Sequence, residues 1–127
     1  MKTFLLFRKG DFLGASLLKK GFGHIDIIRK TELGFYCWLR PYLNWIDCDF
    51  LLEEELQDVV DLYDHVLVIE SRKEIRKTIW FILAQFSCVT YAKHSIGLKC
   101  FAITPYQLYK KLLKRKYKNI VDVEEIK

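Results

Sequence analysis

The chain has 127 residues, a formal net charge of +5 at pH 7 and 51% hydrophobic residues. This length fits one domain, and the apolar content is enough for a core, which excludes an intrinsically disordered chain. No apolar run approaches the ~18 residues of a membrane span. The apolar N-terminus lacks a small-residue cleavage site, so we expect no secretion signal. The composition predicts a single domain over residues 1–127.

The first half of the chain is predicted to be rich in strands, because β-branched and aromatic residues dominate several short runs. The strands at 24–29 and 35–40 flank a glycine-containing turn and are typical of a β-hairpin. Asp11 is placed to cap a helix that ends at Gly21. The predicted elements in chain order are a strand at 3–8, this helix at 12–20, the hairpin strands at 24–29 and 35–40, and a strand at 44–52.

The second half alternates helices with strands. The run 77–85 is ambiguous, because its β-branched residues favour a strand while a buried helix remains open. Ser87 is a good N-cap for a helix that Gly97 ends, and Thr104-Pro105 is a second start signal. The predicted elements are a helix at 53–62, a strand at 66–70, helices at 88–96 and 105–117, and a tail at 119–127 that is expected to be loose.

Cys88 is the residue with the strongest chemical signal. It directly follows the predicted N-cap, where unpaired backbone N–H groups and the positive end of the helix dipole stabilise a thiolate. The same N–H groups can hold an oxyanion during acyl transfer. The alternative interpretation, which stays open on the sequence alone, is a structural thiol beside the core.

A thiol nucleophile needs a base, and the sequence offers three histidines. His94 lies toward the far end of the Cys88 helix and cannot reach the thiol. His65 opens the strand at 66–70 and is the second choice. His24 opens a strand after a glycine-flanked turn and is the preferred base, although taken alone it is read slightly more readily as a solvated strand-end histidine. Asp26 shares its strand face but is expected to be poorly placed to orient the ring.

The segment FSCVTYAKHSIGLKCFAITPYQLYKKLL, residues 86–113, resembles the bacteriophage-type members of the permuted NlpC/P60 (papain-like) superfamily. The similarity lies in the Cys88-Val89 pair, in Lys93, in Ile96-Gly97, and in Thr104-Pro105 followed by Leu108. The upstream stretch 16–25 is similar to the family's apolar helix and histidine-bearing strand. A histidine strand that precedes the cysteine helix is the order of the permuted members.

The resemblance implies an α+β fold with a permuted papain-like core, in which an antiparallel sheet packs against a Cys-bearing helix. It implies a cysteine-dependent hydrolase or acyltransferase that cleaves an amide, ester or thioester bond through Cys88 and His24. The family often carries a third polar residue on the strand after the histidine, and the run 35–40 lacks one. Asn44 is therefore the nearest orienter, and Gln85 is a possible oxyanion donor.

The missing third residue keeps a non-enzymatic alternative open. In that alternative the chain is an inactive papain-like fold that serves as a structural or interaction module, such as a component of a phage particle. The expected partners are thus a peptide or acyl substrate, or other phage structural proteins. The expected location is the host cytoplasm or the virion.

Other features of the sequence say less about function. The four cysteines are expected to be reduced, and Cys37 and Cys48 to be buried small hydrophobes. No metal-ligand spacing is present, and no cofactor or metal is expected. A basic stretch could bind nucleic acid by phosphate neutralisation, but a solvated helix face is the favoured interpretation. That stretch contains Lys110, Lys111, Lys114, Arg115 and Lys118.

Overall fold

A computed structural model describes residues 1–10, 19–42, 45–72, 88–114 and 116–127 of the chain. It is an α+β structure built on one six-stranded sheet, with the order β4-β3-β2-β1-β5-β6 and every neighbouring pair antiparallel. The strands are β1 (Lys2–Arg8), β2 (His24–Lys30), β3 (Tyr36–Pro41), β4 (Ile46–Leu51), β5 (His65–Ser71) and β6 (Ile120–Glu125).

Three α-helices accompany this sheet in the described ranges: α1 (Leu56–Val60), α2 (Cys88–Ser95) and α3 (Pro105–Lys114). Helix α1 follows a single 3₁₀ turn at Glu53–Glu55. In α3, Pro105 takes the first helical position, and the Thr104 hydroxyl accepts a hydrogen bond from the Gln107 N–H at 3.3 Å. This is the N-cap that the Thr-Pro pair predicts. None of the described helices is long and apolar enough to cross a membrane.

The core has two parts because side chains alternate between the faces of each strand. On one face, Leu5, Phe7 and Ile27 pack with buried residues of α2 and α3. On the other face, Phe4 and Leu6 pack with the α1 segment. The central strands β1, β2 and β5 are therefore covered on both sides, while β4 and β6 form the edges of the sheet.

Helix α2 ends as the sequence predicts. Gly97 adopts φ +65°, and its N–H bonds the His94 carbonyl at 3.1 Å. The Leu98 N–H bonds the Lys93 carbonyl at 2.8 Å. These two bonds form a Schellman motif, in which the glycine supplies the left-handed residue.

The structure corrects several expectations. Residues 119–127 are not a loose tail, because β6 pairs along β5 from Ser71 to Leu67. The helix expected over 53–62 is shorter, since its first turn is 3₁₀ and residues 61–62 form a turn. The last helix ends at Lys114 instead of near 117. Cys48 is exposed and Cys37 is half-buried, so neither is a core residue.

Two expected elements and two expected caps lie outside the described residues. These are the helix at 12–20, whose residues 12–18 are not described, the ambiguous run at 77–85, and the N-caps Asp11 and Ser87.

Candidate active site

His24 is the first residue of β2, and the chain reaches it through a tight glycine turn. Gly21 adopts φ +81°, a conformation that glycine takes without strain. The Gly23 N–H donates to the Arg8 carbonyl at 2.9 Å, and a Cβ at this position would lie 2.8 Å from the Gly10 Cα. Only glycine therefore fits at position 23, where the backbone passes close to Gly10. This close approach of the two backbone segments helps to position the His24 imidazole.

Cys88 is the first described residue of α2 and is half-buried. Val89, Ala92 and Ile96 fix the helix, because these three side chains are buried in the core cluster that also contains Ile25 and Ile27 of β2. Their spacing of three and four residues places them on one helix face. The apolar face of α2 therefore holds the cysteine against the strand that carries His24.

The His24 imidazole bridges two side chains. Its Nε2 lies 2.8 Å from Asp26 Oδ1. The Cys88 thiol is close enough to the ring to raise the pKa of His24 through hydrogen bonding and charge. The structure thus brings the two predicted residues together and adds a carboxylate, which makes a Cys–His–Asp arrangement.

Asp26 is fully buried and is held by three donors. Besides His24, its carboxylate accepts from Tyr63 Oη at 2.5 Å and from Arg8 Nε at 3.1 Å. Burial alone would raise the pKa of Asp26, but the bonds and charges of His24, Tyr63 and Arg8 outweigh it and lower the pKa below the usual 3.8. Asp26 is consequently ionised across the neutral range, as an orienting carboxylate must be.

The hydroxyl of Tyr63 is itself fixed. It accepts from Trp38 Nε1 at 3.0 Å while it donates to Asp26. Burial, followed by the Asp26 charge, raises the pKa of Tyr63 far above its usual 10. The phenol therefore remains a donor, and it aims the carboxylate from the side of the sheet that α1 covers.

The charge state of His24 follows from its partners. Burial of the ring opposes protonation, but the hydrogen bonds with Asp26 and Cys88 and their charges overcome it and raise the pKa of His24 to about 9. At neutral pH the ring is therefore an imidazolium, flanked by one carboxylate and by a sulfur that can carry negative charge.

An aromatic stack covers another side of the imidazole. The Tyr42 ring lies 5.9 Å from the His24 ring at an interplanar angle of 27°, and Trp45 stacks on Tyr42 at 4.3 Å and 15°. Trp45 is 55% exposed. The stack restrains the imidazole and presents an apolar surface at the site's edge.

The other residues singled out in the sequence have different surroundings. His65 stacks on Phe22 at 4.5 Å and lies near Tyr109, within the aromatic part of the core. His94 lies in the last turn of α2, where burial and the Arg29 charge lower its pKa. Asn44 and Gln85 lie outside the described residues, so the structure does not place the expected orienter or the expected oxyanion donor.

Asp26 is the residue of the candidate site that sequence reasoning missed. The expectation that its side chain is poorly placed to orient the ring is wrong, as the 2.8 Å contact shows. The period-two spacing HID was the available signal, because residues i and i+2 share a strand face. Side chains on a strand also lean along its direction, which lets the ring nitrogen reach the next residue on that face.

The basic stretch is only partly a free charged face. Lys110 lies over the Tyr106 ring and Lys111 over the Phe101 ring, at 5.4 and 5.6 Å. Lys114 and Lys118 are exposed, and Arg115 lies outside the described residues. In the described ranges, no group of three or more His, Cys, Asp or Glu side chains is arranged to hold a metal ion.

Comparisons of the chain with profiles of known protein families, with curated proteins and with solved structures gave no significant match.

Proposed function

We propose that the protein is a cysteine-dependent hydrolase or acyltransferase with a permuted papain-like core, similar to the bacteriophage-type NlpC/P60 proteins. The observation that carries the proposal is the position of His24, which lies 2.8 Å from Asp26 and close enough to Cys88 for the thiol to raise its pKa. A buried histidine shared between a thiol and an ionised carboxylate is the arrangement that activates a nucleophile.

The fold supports the same proposal. The histidine strand β2 precedes the cysteine helix α2 in the chain, and α2 packs on an antiparallel sheet. This is the order of the permuted members, except that the acid lies on the histidine's own strand. The half-buried thiol also favours the enzyme over an inactive structural module, for which a cysteine sealed in the core would be expected.

The reaction would begin with attack of the Cys88 thiolate on the carbonyl carbon of an amide, ester or thioester. The Cys88 backbone N–H would form part of the oxyanion hole that holds the tetrahedral intermediate. When the intermediate collapses, the His24 imidazolium gives its proton to the leaving amine, alcohol or thiol. A thioester on Cys88 remains, and His24 is then neutral.

Neutral His24 would next act as a general base. It takes a proton from water or from an acceptor amine or alcohol, whose oxygen or nitrogen attacks the thioester carbon. Cys88 leaves as the thiolate, and the acid or the transferred acyl product is released with His24 again protonated. Throughout, Asp26 keeps its charge and holds the Nε2 side of the ring.

The test is alkylation of the four cysteines by iodoacetamide, measured peptide by peptide by mass spectrometry in the wild type and in His24→Ala. We expect His24→Ala to slow Cys88 by at least about tenfold, because the variant removes the partner that stabilises the thiolate. Cys48 is exposed and is the internal control, since its rate should not change. Equal Cys88 rates in the two proteins would contradict the proposal.

A second measurement addresses acyl transfer directly. After rapid mixing with p-nitrophenyl acetate, an acetyl group should be found on Cys88 in the wild type and in Cys48→Ser. Cys88→Ser should release no burst of p-nitrophenol. A burst that survives in Cys88→Ser would assign the chemistry to another residue and reject the proposed nucleophile.

A further inference from the structure

The connection between α2 and α3 presents apolar side chains to solvent in a regular way. From Leu98 to Ile103 inward and outward residues alternate, so Leu98 and Ala102 are buried while Lys99, Phe101 and Ile103 are exposed. Phe101 is 72% exposed and Ile103 is 66% exposed. Placing two large apolar side chains in water has a cost that a binding surface would recover.

Side chains on both flanking helices hold the backbone of this connection. Lys93 Nζ donates to the Cys100 and Ala102 carbonyls, each at 3.2 Å, and Lys111 Nζ donates to the Phe101 carbonyl. Also from α3, Gln107 Oε1 accepts a hydrogen bond from the Ile103 N–H at 2.9 Å. The outward direction of Phe101 and Ile103 is thus built into the structure.

The surroundings of the two apolar side chains are basic. Lys99 precedes them, Lys111 lies over the Phe101 ring at 5.6 Å, and Lys114 follows Lys111 by one turn on the same side of α3. The sequence contains no Asp or Glu from residue 75 to residue 121, so no carboxylate of this stretch opposes the lysines. The partner of the surface must therefore accept apolar side chains and carry negative charge.

We propose that this surface, formed by Lys99, Phe101, Ile103, Gln107, Lys111 and Lys114, docks on an anionic lipid bilayer. Phe101 and Ile103 enter the boundary between headgroups and acyl chains, and the lysines remain at the level of the anionic headgroups. Single-stranded nucleic acid fits less well, because it needs aromatic stacking platforms and Ile103 cannot stack on a base.

The surface is separate from the candidate active site. Cys88 is the first described residue of α2, whereas the connection that carries Phe101 follows the C-terminal end of that helix. Bilayer binding therefore does not depend on the proposed thiol chemistry. The variant Cys88→Ser should bind vesicles as the wild type does.

Vesicle flotation tests the proposal with phosphatidylcholine alone and with phosphatidylcholine mixed with phosphatidylserine. We expect the wild type to bind the mixed vesicles, with an affinity that falls as salt is added. Phe101→Ser and Ile103→Ser should each weaken binding by about tenfold, and Lys114→Gln by about fivefold. Phe50→Ser is the matched control, since Phe50 is 68% exposed but lies on the edge strand β4, and it should bind as the wild type does.

Circular dichroism melting of each variant verifies the fold, which substitutions at exposed side chains should leave intact. Three results would overturn the proposal: no preference for phosphatidylserine, equal binding of Phe101→Ser and the wild type, or binding to a single-stranded oligonucleotide but not to vesicles. Loss of binding in Phe101→Ser and Ile103→Ser with retention in Phe50→Ser would establish the surface.

Discussion

Asp26 Oδ1 lies 2.8 Å from His24 Nε2, and the two residues are neighbours on the same face of one strand. The carboxylate that orients the ring is therefore provided by the histidine's own strand. The resemblance to permuted papain-like proteins implies a third residue on the following strand. His24 and Asp26 lie within three consecutive residues, so the contact between them depends on the local geometry of β2.

Replacing Asp26 with Asn tests the orienting role. The amide is nearly isosteric and keeps contacts with Tyr63 and His24, but the charge that holds the imidazolium is lost. We expect His24-dependent alkylation of Cys88 to fall by about ten- to a hundredfold. Tyr63→Phe is the control, because it keeps the carboxylate charge and should have the smaller effect. A larger loss in Tyr63→Phe would contradict the orienting role of Asp26.

The stability of the protein should depend on pH through His24. A pKa raised from 6.5 to about 9 gives a stabilising contribution that is complete below pH 6.5 and disappears as the pH rises through 9. We expect the free energy of unfolding of the wild type to fall by up to about 3 kcal/mol over that window. Urea titrations at several pH values measure this change in the free energy of unfolding.

The comparison for that experiment is His24→Gln, which lacks the titrating ring and should lose most of the decline. At the acid end, Asp26 behaves in the opposite way. Its lowered pKa contributes stability that is present above pH 3.8 and is lost as the pH falls further. Parallel pH profiles for the wild type and His24→Gln between pH 6.5 and 9 would show that the ring carries no such contribution.

Gly23→Ala should damage both stability and chemistry. The new Cβ would lie 2.8 Å from the Gly10 Cα, so the two backbone segments must separate and His24 must move with them. We expect a loss of about 1 to 3 kcal/mol, measured by urea denaturation, and a Cys88 alkylation rate near that of His24→Ala.

Gly34→Ala is the matched glycine control. It has φ +94° in the hairpin turn and no atom within 4 Å of the added Cβ, so it should cost about 1 kcal/mol through backbone strain alone. Its Cys88 should react as in the wild type. If Gly34→Ala slowed Cys88 as much as Gly23→Ala, the effect would be general destabilisation.

Asn119 should contribute to the docking of β6. Its Nδ2 donates to the Ile96 carbonyl at 2.9 Å and to the Gly97 carbonyl, which joins the end of α2 to the start of β6. Asn119→Ala should lower the free energy of unfolding by about 1 kcal/mol or more in urea denaturation, because two helix-end carbonyls lose their donor. The exposed neighbour Lys118→Ala should have little effect, and equal losses would argue against this contact.

The strands of the first half could be predicted from the sequence because β-branched and aromatic residues mark them, as in the HIDIIR run of β2. The ends of α2 and α3 could be predicted from Gly97 and Thr104-Pro105. Strand β6 was missed because an edge strand buries little, and four of its six residues are exposed. Nothing in its pattern separates it from a solvated tail.

Of the candidate site, the sequence predicted Cys88 and His24 but not the network behind them. Arg8 and Tyr63 are 18 and 37 residues from Asp26 along the chain, and only the pairing of β1 with β2 and the packing of the α1 segment bring them to it. Long-range contacts of this kind have no local signature. A buried carboxylate in a strand of isoleucines was a visible sign that such donors must exist.

The pairing of Arg8 with Asp26 also favours one register between strands β1 and β2. Arg8 is opposite His24 and Leu6 is opposite Asp26, so the ion pair runs diagonally between two strands. A slip of one residue would turn Asp26 and His24 to the opposite face while Arg8 stayed in place, leaving a carboxylate among the aliphatic side chains of the larger cluster. Misaligned pairing of β1 with β2 is thus penalised by the same charges that surround the His24 imidazole.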